Sequence, residues 1–227
     1  MLVSTVFGQA WSFRALMALV LALFWPILRA GPPREPWVPV LSAGVTGALL
    51  AGLAWAGHAN AELGAHGLIH HTSDAAHLLA AGAWLGGLAP LASLLRTLGG
   101  SPTTRDIDGC AEVAALFGNW AALSVGVLIV TGITNAYYIV PAPRALLETT
   151  YGNVLLAKLL LFAVMLALAA ANRTRLTTAL LAKDRDDRAR VSAARRLRRN
   201  VWMEQVLGAG VILLVATLGV TPPPMRM

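Results

Sequence analysis

The sequence contains little charge and few of the groups that hold small soluble folds together. Only 13% of its 227 residues are charged, 57% are hydrophobic, and the mean hydropathy is +0.65. A soluble domain carries about 25% charged residues. The single cysteine, Cys110, excludes an internal disulfide and a cysteine-based zinc site. No Gly-x-x-x-x-Gly-Lys-Ser/Thr motif occurs. We therefore expect this chain in lipid and find no sign that it uses ATP.

Long uncharged stretches take the place of the missing charge. Several reach roughly 18 residues, enough for a helix that crosses a bilayer with its own backbone hydrogen bonds satisfied. The first stretch lacks the basic start and the cleavage site of a signal peptide. The sequence predicts an all-α, polytopic membrane bundle of six transmembrane helices, forming a single domain over residues 1–227. The predicted spans are Trp11–Leu28, Trp37–Gly57, Ala75–Leu95, Val113–Val140, Val154–Ala171 and Gln205–Val220.

The basic residues lie almost entirely in three connecting loops, and this asymmetry orients the bundle. Fourteen Lys and Arg residues follow spans 1, 3 and 5, and ten of them stand in a basic loop at about 173–199. The positive-inside rule places these loops in the cytoplasm and both termini in the periplasm. A net charge of +7 distributed in this way is a topology signal and does not indicate nucleic-acid binding. The loop could also bind a partner or anionic lipid.

Two cations lie inside the predicted spans, and a carboxylate stands at the start of a third span. Arg14 and Lys158 each follow a glycine by six residues. This similarity suggests an internal repeat that gives spans 1 and 5 related places in the bundle. Cations at this depth either extend to the lipid headgroups or hold a carboxylate or an anionic ligand. The third residue, Glu204, stands at the start of span 6.

All five histidines lie within twenty residues, at the outer ends of spans 2 and 3 and in the link between them. No Lys or Arg interrupts this segment, so its imidazoles and carboxylates can attract a metal cation. Neutral imidazole suits copper, zinc, iron and nickel, whereas a thioether adds a preference for Cu(I). Met225 lies on the same predicted side of the membrane. The histidines are His58, His66, His70, His71 and His77.

One face of span 3 collects several of these groups. At about 100° per residue, His70, Asp74, His77 and Trp84 share an arc of about 80°. His71 points about 100° away from that arc. His70 and His77 are separated by a rise of about 10 Å, which suits two successive stations, or a site completed by another helix, better than one shared ion.

The expected partner from another helix is His58, at the outer end of span 2. His66 and His71 could instead be hydrated residues without a metal-binding role.

Several stretches resemble, in their order along the chain, the CopD family of copper-resistance membrane proteins. The family is taken to move copper across the bacterial inner membrane, often beside the periplasmic copper-binding protein CopC. The resemblance implies copper uptake into the cytoplasm, with His58, His70 and His77 as ligands and Asp74 in support. The matching stretches are Gly57-His58-Ala59, the run from Asp74 to Leu88, Thr131-Gly132-Ile133-Thr134-Asn135-Ala136, Tyr151-Gly152 with Lys158, Asn172-Arg173, Leu197-Arg198-Arg199 with Glu204, and Thr221-Pro222-Pro223.

The leading hypothesis is a copper-binding inner-membrane protein that is not an enzyme. A copper ion, Cu(I) or Cu(II), would pass from His58 and His70 past Asp74 and His77 toward Asn135 in span 4. Its passage would be passive or coupled to an ion gradient, and a periplasmic CopC-like carrier could deliver it. The ion must be held weakly enough to leave again, so sequential sites are expected.

Two alternatives remain open at this point. The first is a membrane b-type haem protein, in which His58 and His77 are the axial ligands and Arg14 or Lys158 pairs with the propionates. The second is an assembly partner that binds no ligand.

Overall fold

The computed structural model describes residues 6–29, 35–54, 65–140, 142–184 and 186–224, with side chains at all of these except 6–11, 24–29, 65 and 66. Within these ranges all the regular structure is helical. The elements are α1 (Val6–Arg29), α2 (Trp37–Ala51), α3 (Ala65–Thr97), α4 (Thr104–Ile139), α5 (Ala145–Glu148), α6 (Thr150–Ala171), a π-helical turn (Asn172–Thr177), α7 (Thr178–Leu181) and α8 (Asp187–Val220).

Each predicted span overlaps one of the six long helices, and the all-helical class is confirmed. Among the residues that the structure describes, four helices are long and apolar enough to cross a membrane, and the described parts of α1 and α2 are apolar but shorter. Six crossings therefore stay a prediction. The four long segments are Gly67–Thr97, Thr104–Ile139, Thr150–Leu181 and Asp187–Val220, and the two shorter ones are Ser12–Leu23 and Trp37–Ala51.

Several helices begin well before the apolar stretch that marks the span. α4 starts nine residues before the predicted Val113, because Thr103 and Asp106 form a capping box in which each side chain accepts the other's backbone N–H. α8 starts eighteen residues before the predicted Gln205 and carries much of the basic segment within the helix. Hydropathy locates the part of a helix that suits lipid, whereas capping and helix propensity decide where the helix starts.

The outward faces of the long helices are apolar. Val130, Ile133, Leu160 and Leu213 are each between 65% and 69% exposed. A helix that is hydrophobic on its outward face is typical of a membrane span, where lipid covers these side chains.

The chain packs as two compact units. The first comprises Met1–Ala80 with Val127–Asn135, and so contains α1, α2, the first half of α3 and a segment of α4. α1 packs against α2. At this contact a side chain on Gly52 would lie 3.0 Å from the Phe13 ring, so a larger residue there would press against the ring.

The second unit comprises Ala81–Gly126 with Ala136–Met227. Its core includes the fully buried Leu88, Ile107 and Val201, together with Cys110, which behaves as a small apolar residue. At the edge of this core the buried Arg190 donates hydrogen bonds to the backbone oxygen of Leu180 and to the carboxylates of Asp108 and Asp187. The arginine thus ties the start of α8 to α4 and to the end of α7.

Candidate metal-binding site

In the first unit, polar side chains join α3 to the Val127–Asn135 segment of α4. Ser73 donates from Oγ to the backbone oxygen of Thr131 at 3.2 Å. The imidazole Nδ1 of His77 lies 2.9 Å from Oγ1 of Thr131. One turn further along α4, Nδ2 of Asn135 donates to Oδ1 of Asp74 at 3.4 Å. These three contacts define the His77 site: Ser73, Asp74, His77, Thr131 and Asn135.

The hydrogen bonds of Thr131 determine which nitrogen of His77 carries the proton. A threonine hydroxyl has one hydrogen to donate. Thr131 Oγ1 lies 2.6 Å from the backbone oxygen of Val127 and donates its hydrogen there. The same oxygen must then accept from Nδ1–H of His77, which leaves the lone pair of the ring on Nε2. A histidine ligand is usually held in this way, with its second nitrogen donating to a fixed oxygen.

Asp74 and Asn135 add oxygen atoms to the same site. Both side chains are partly buried. Asn135 donates its amide N–H to Asp74, and its own Oδ1 is buried without a hydrogen-bond donor among the residues that the structure describes. A buried acceptor left in this state is costly unless a water or a cation completes it. The orphaned oxygen is therefore an acceptor that a water molecule or a cation could complete.

The other predicted ligands lie in different situations. His70 is on α3 and 6% exposed, and it precedes His77 by seven residues, a rise of about 10 Å. His71 is only partly buried. His66 belongs to α3, but its side chain lies outside the described residues, as do His58 and Met225 altogether. Across the described ranges, no three His, Cys, Asp or Glu side chains lie close enough to hold one metal ion.

Trp84 belongs to the second unit, where it meets a different set of polar residues. It lines a cavity of about 360 Å³ together with Glu204, Asn172 and Arg173. Trp84 and Glu204 are both 2% exposed. The two predicted intramembrane cations, Arg14 and Lys158, are both partly buried. Glu204, directly before predicted span 6, is thus more deeply buried than either cation in the part of the chain that the structure describes.

Sequence reasoning missed the roles of Ser73, Thr131 and Asn172. Thr131 lies four residues before Asn135, so the two share a face of α4. That spacing could have identified Thr131 once Asn135 had been chosen. Asn172 appeared only in a stretch that resembles the family, and spacing could not reveal its hydrogen bonds to Glu204 and Asn200, which join separate parts of the chain.

Comparison with known proteins places the chain in a family. The model of Copper resistance protein D matches residues 111–218, and that of the Copper resistance protein D-like N-terminal domain matches residues 1–68. Copper resistance protein D of Pseudomonas syringae pv. tomato is 35% identical, over 100% of this chain and 72% of its own length. Inner membrane protein YebZ of Escherichia coli (strain K12) is 32% identical, over 96% of this chain and 70% of its own.

A shorter match covers part of the chain. Copper transport protein CutJ of Bacillus subtilis (strain 168) is 37% identical over 97 residues, which are 43% of this chain and 17% of that protein. No solved structure matches.

The long apolar helices and the similarity to an inner-membrane relative define a multi-pass protein of the bacterial inner membrane. Matches to both family models and a full-length relative at 35% identity then settle its family: the chain belongs to the copper resistance protein D family. The resemblance seen in the sequence is confirmed.

Proposed function

We propose that this protein carries copper ions from the periplasm to the cytoplasm and that the ion binds at the His77 site on its way. Relatives named for copper resistance and copper transport support copper as the cargo. The observation that carries the proposal is the hydrogen bond between Nδ1 of His77 and Thr131, since it makes Nε2 the ring nitrogen that could bind a metal ion.

The donor atoms of the site favour one oxidation state of copper, Cu(II), over Cu(I). Asp74 supplies a carboxylate oxygen and Asn135 an orphaned amide oxygen beside the imidazole of His77. Nitrogen and oxygen donors are those preferred by Cu(II), whereas Cu(I) prefers thiolate and thioether sulfur. The His77 site is therefore a station for Cu(II). His70, one station nearer the start of α3, and His58, from the preceding span, complete the path.

The charge asymmetry supports the direction of approach. Fourteen basic residues in the loops after spans 1, 3 and 5 support, under the positive-inside rule, a periplasmic position for the start of α3 and for both termini. The His77 site then opens toward the periplasm, where a CopC-like carrier delivers copper. Two stations about 10 Å apart allow an ion to be bound and passed on without being held too tightly.

The test is copper binding by purified protein in which His77 is replaced by alanine. The wild-type protein is expected to bind Cu(II), measured by competition with a chelator of known affinity. His77→Ala removes a ligand, so its affinity should fall by more than the roughly 10- to 100-fold that follows loss of an outer-shell partner. His71→Ala is the matched control on the same helix, and it should bind as the wild type does.

Three results would contradict the proposal. Equal copper affinity in His77→Ala and His71→Ala would remove His77 from the site. Preferential binding of Cu(I) would overturn the assignment of Cu(II). A Soret band in the purified protein that His77→Ala abolishes would make the protein a haem protein instead.

A further inference from the structure

A buried carboxyl group in α8 has no part in the copper site proposed above. Glu204 lies inside a helix that is long and apolar enough to span the membrane, and its side chain is 2% exposed. Ionisable groups in such positions are expensive, and they mark ion or proton pathways when they face the interior of a bundle. Packing alone therefore does not explain why an ionisable group is buried at position 204.

Two asparagines hold the carboxyl group in place. Nδ2 of Asn172 donates to Oε1 of Glu204 at 2.5 Å. Oδ1 of Asn172 in turn accepts from Nδ2 of Asn200 at 2.9 Å. The second bond fixes the amide of Asn172 so that its N–H group faces the carboxyl. An amide N–H can donate to an ionised or to a protonated carboxyl group, so it positions Glu204 without neutralising it.

The backbone at Asn172 is unusual. This residue begins the six-residue π-helical turn Asn172–Thr177 that follows α6. Short π-helical segments inside helices occur frequently at functional sites. Here the turn brings Asn172 to Glu204 and places Arg173 at the edge of the same cavity.

The cavity gives the carboxyl group access to small polar ligands. Its volume is about 360 Å³, and a liquid water molecule occupies about 30 Å³. Glu204, Asn172, Thr177 and Arg173 contribute the polar part of its lining, and the remaining wall is apolar apart from Trp84. The indole Nε1 of Trp84, another residue of the lining, is buried without a hydrogen-bond partner among the described residues. The space thus has polar groups directed into it that a water molecule could join.

No cation neutralises Glu204 in the part of the chain that the structure describes. The charged residues that line the cavity are Glu204 and Arg173. Arg173 donates from Nη1 to the backbone oxygen of Gly118 at 3.1 Å, and no Lys, Arg or His nitrogen there lies within 4.0 Å of the Glu204 carboxylate. A buried, uncompensated carboxylate is costly, whereas a bound proton removes its charge.

We infer that Glu204, positioned by Asn172 and Asn200, is a proton-binding site that exchanges its proton through the adjoining cavity. Among the described residues that line the cavity there is no imidazole or sulfur donor, so the site suits a proton better than copper. The proton site stands on its own geometry. Its coupling to copper movement rests on the function proposed above: Glu204 would release its proton to water through the cavity as the ion crosses and would take up another proton afterwards.

The test is a pH titration by infrared difference spectroscopy of the protein in lipid nanodiscs without copper. The wild type is expected to show a pH-dependent C=O band of a protonated carboxylic acid that Glu204→Gln lacks. Glu148→Gln is the matched control, because Glu148 is exposed on α5, and it should keep the band. Asn172→Leu should keep the band but shift its frequency, since the carboxyl loses its hydrogen-bond donor. This variant also tests the site if Glu204→Gln does not fold.

The outcomes separate this inference from the copper proposal. His77→Ala should keep the Glu204 band even though it loses copper affinity. A wild-type spectrum without a Glu204-dependent band would overturn the proton site. Loss of the band on adding Na⁺ or K⁺ at constant pH would overturn it too, because that result would indicate an alkali-cation site. In proteoliposomes, copper uptake by the wild type should respond to an imposed pH gradient. Uptake that ignores the gradient would overturn the coupling alone.

Discussion

Replacing Thr131 by valine is the sharpest test of how the His77 site works. The Thr131 hydroxyl accepts from Nδ1 of His77 at 2.9 Å and donates to the backbone oxygen of Val127 at 2.6 Å. Valine has nearly the same shape but cannot do either. The substitution therefore leaves the histidine in place and removes only the group that fixes its tautomer.

The size of the effect follows from the lost hydrogen bond. A buried donor left without an acceptor costs about 1–3 kcal/mol. Each 1.4 kcal/mol corresponds to about tenfold in affinity, so this range predicts copper binding weaker by roughly 5- to 150-fold if the whole cost falls on the bound state. Loss of an outer-shell partner typically weakens metal binding by 10- to 100-fold, which agrees with this range.

The assay is a Cu(II) competition titration of Thr131→Val beside Thr134→Val. Thr134 lies on the same helix, and its hydroxyl donates only to the backbone oxygen of Val130 at 3.0 Å. Thr134→Val should therefore bind copper as the wild type does. If the two variants have the same copper affinity, Thr131 does not orient His77 and the reasoning about the tautomer is wrong.

Two further predictions concern the fold and its orientation. Arg190→Met should lower the melting temperature by several degrees, because three buried or partly buried acceptors lose their donor. Lys183→Gln is the control and should change the melting temperature little, since the Lys183 amine is exposed and 3.7 Å from Asp108. Equal melting curves would show that Arg190 does not stabilise the second unit. An alkaline phosphatase reporter fused after Met227 should be active in the periplasm and one inserted near Asp184 silent. The reverse pattern would invert the proposed topology.

Local properties of the chain predicted the helices well and their ends poorly. Hydropathy over about 18 residues identified a helix at each predicted span, because burial in lipid depends on composition within one segment. The starts of α4 and α8 were missed, because a capping box and good helix formers extend a helix past the lipid-facing stretch.

The candidate site was predicted in part. Helical periodicity placed Asp74 and His77 on one face of α3, and both take part in contacts to α4. Periodicity could not show that Thr131 would be the partner of His77. The grouping of Trp84 with the histidines was likewise predicted from the shared helix face. In the structure Trp84 belongs to the second unit, where it lines a cavity together with Glu204.

The sequence by itself determined that this is an apolar helical protein of the copper resistance protein D family, with a histidine-rich segment and a strong charge asymmetry. These properties depend on residue types and their spacing along the chain. Only the tertiary structure decided that His77 meets Thr131, 54 positions away, and that Asn172 meets Glu204, 32 positions away. Such contacts form when separate helices pack, and packing geometry depends on the whole interface between helices and not on any one segment.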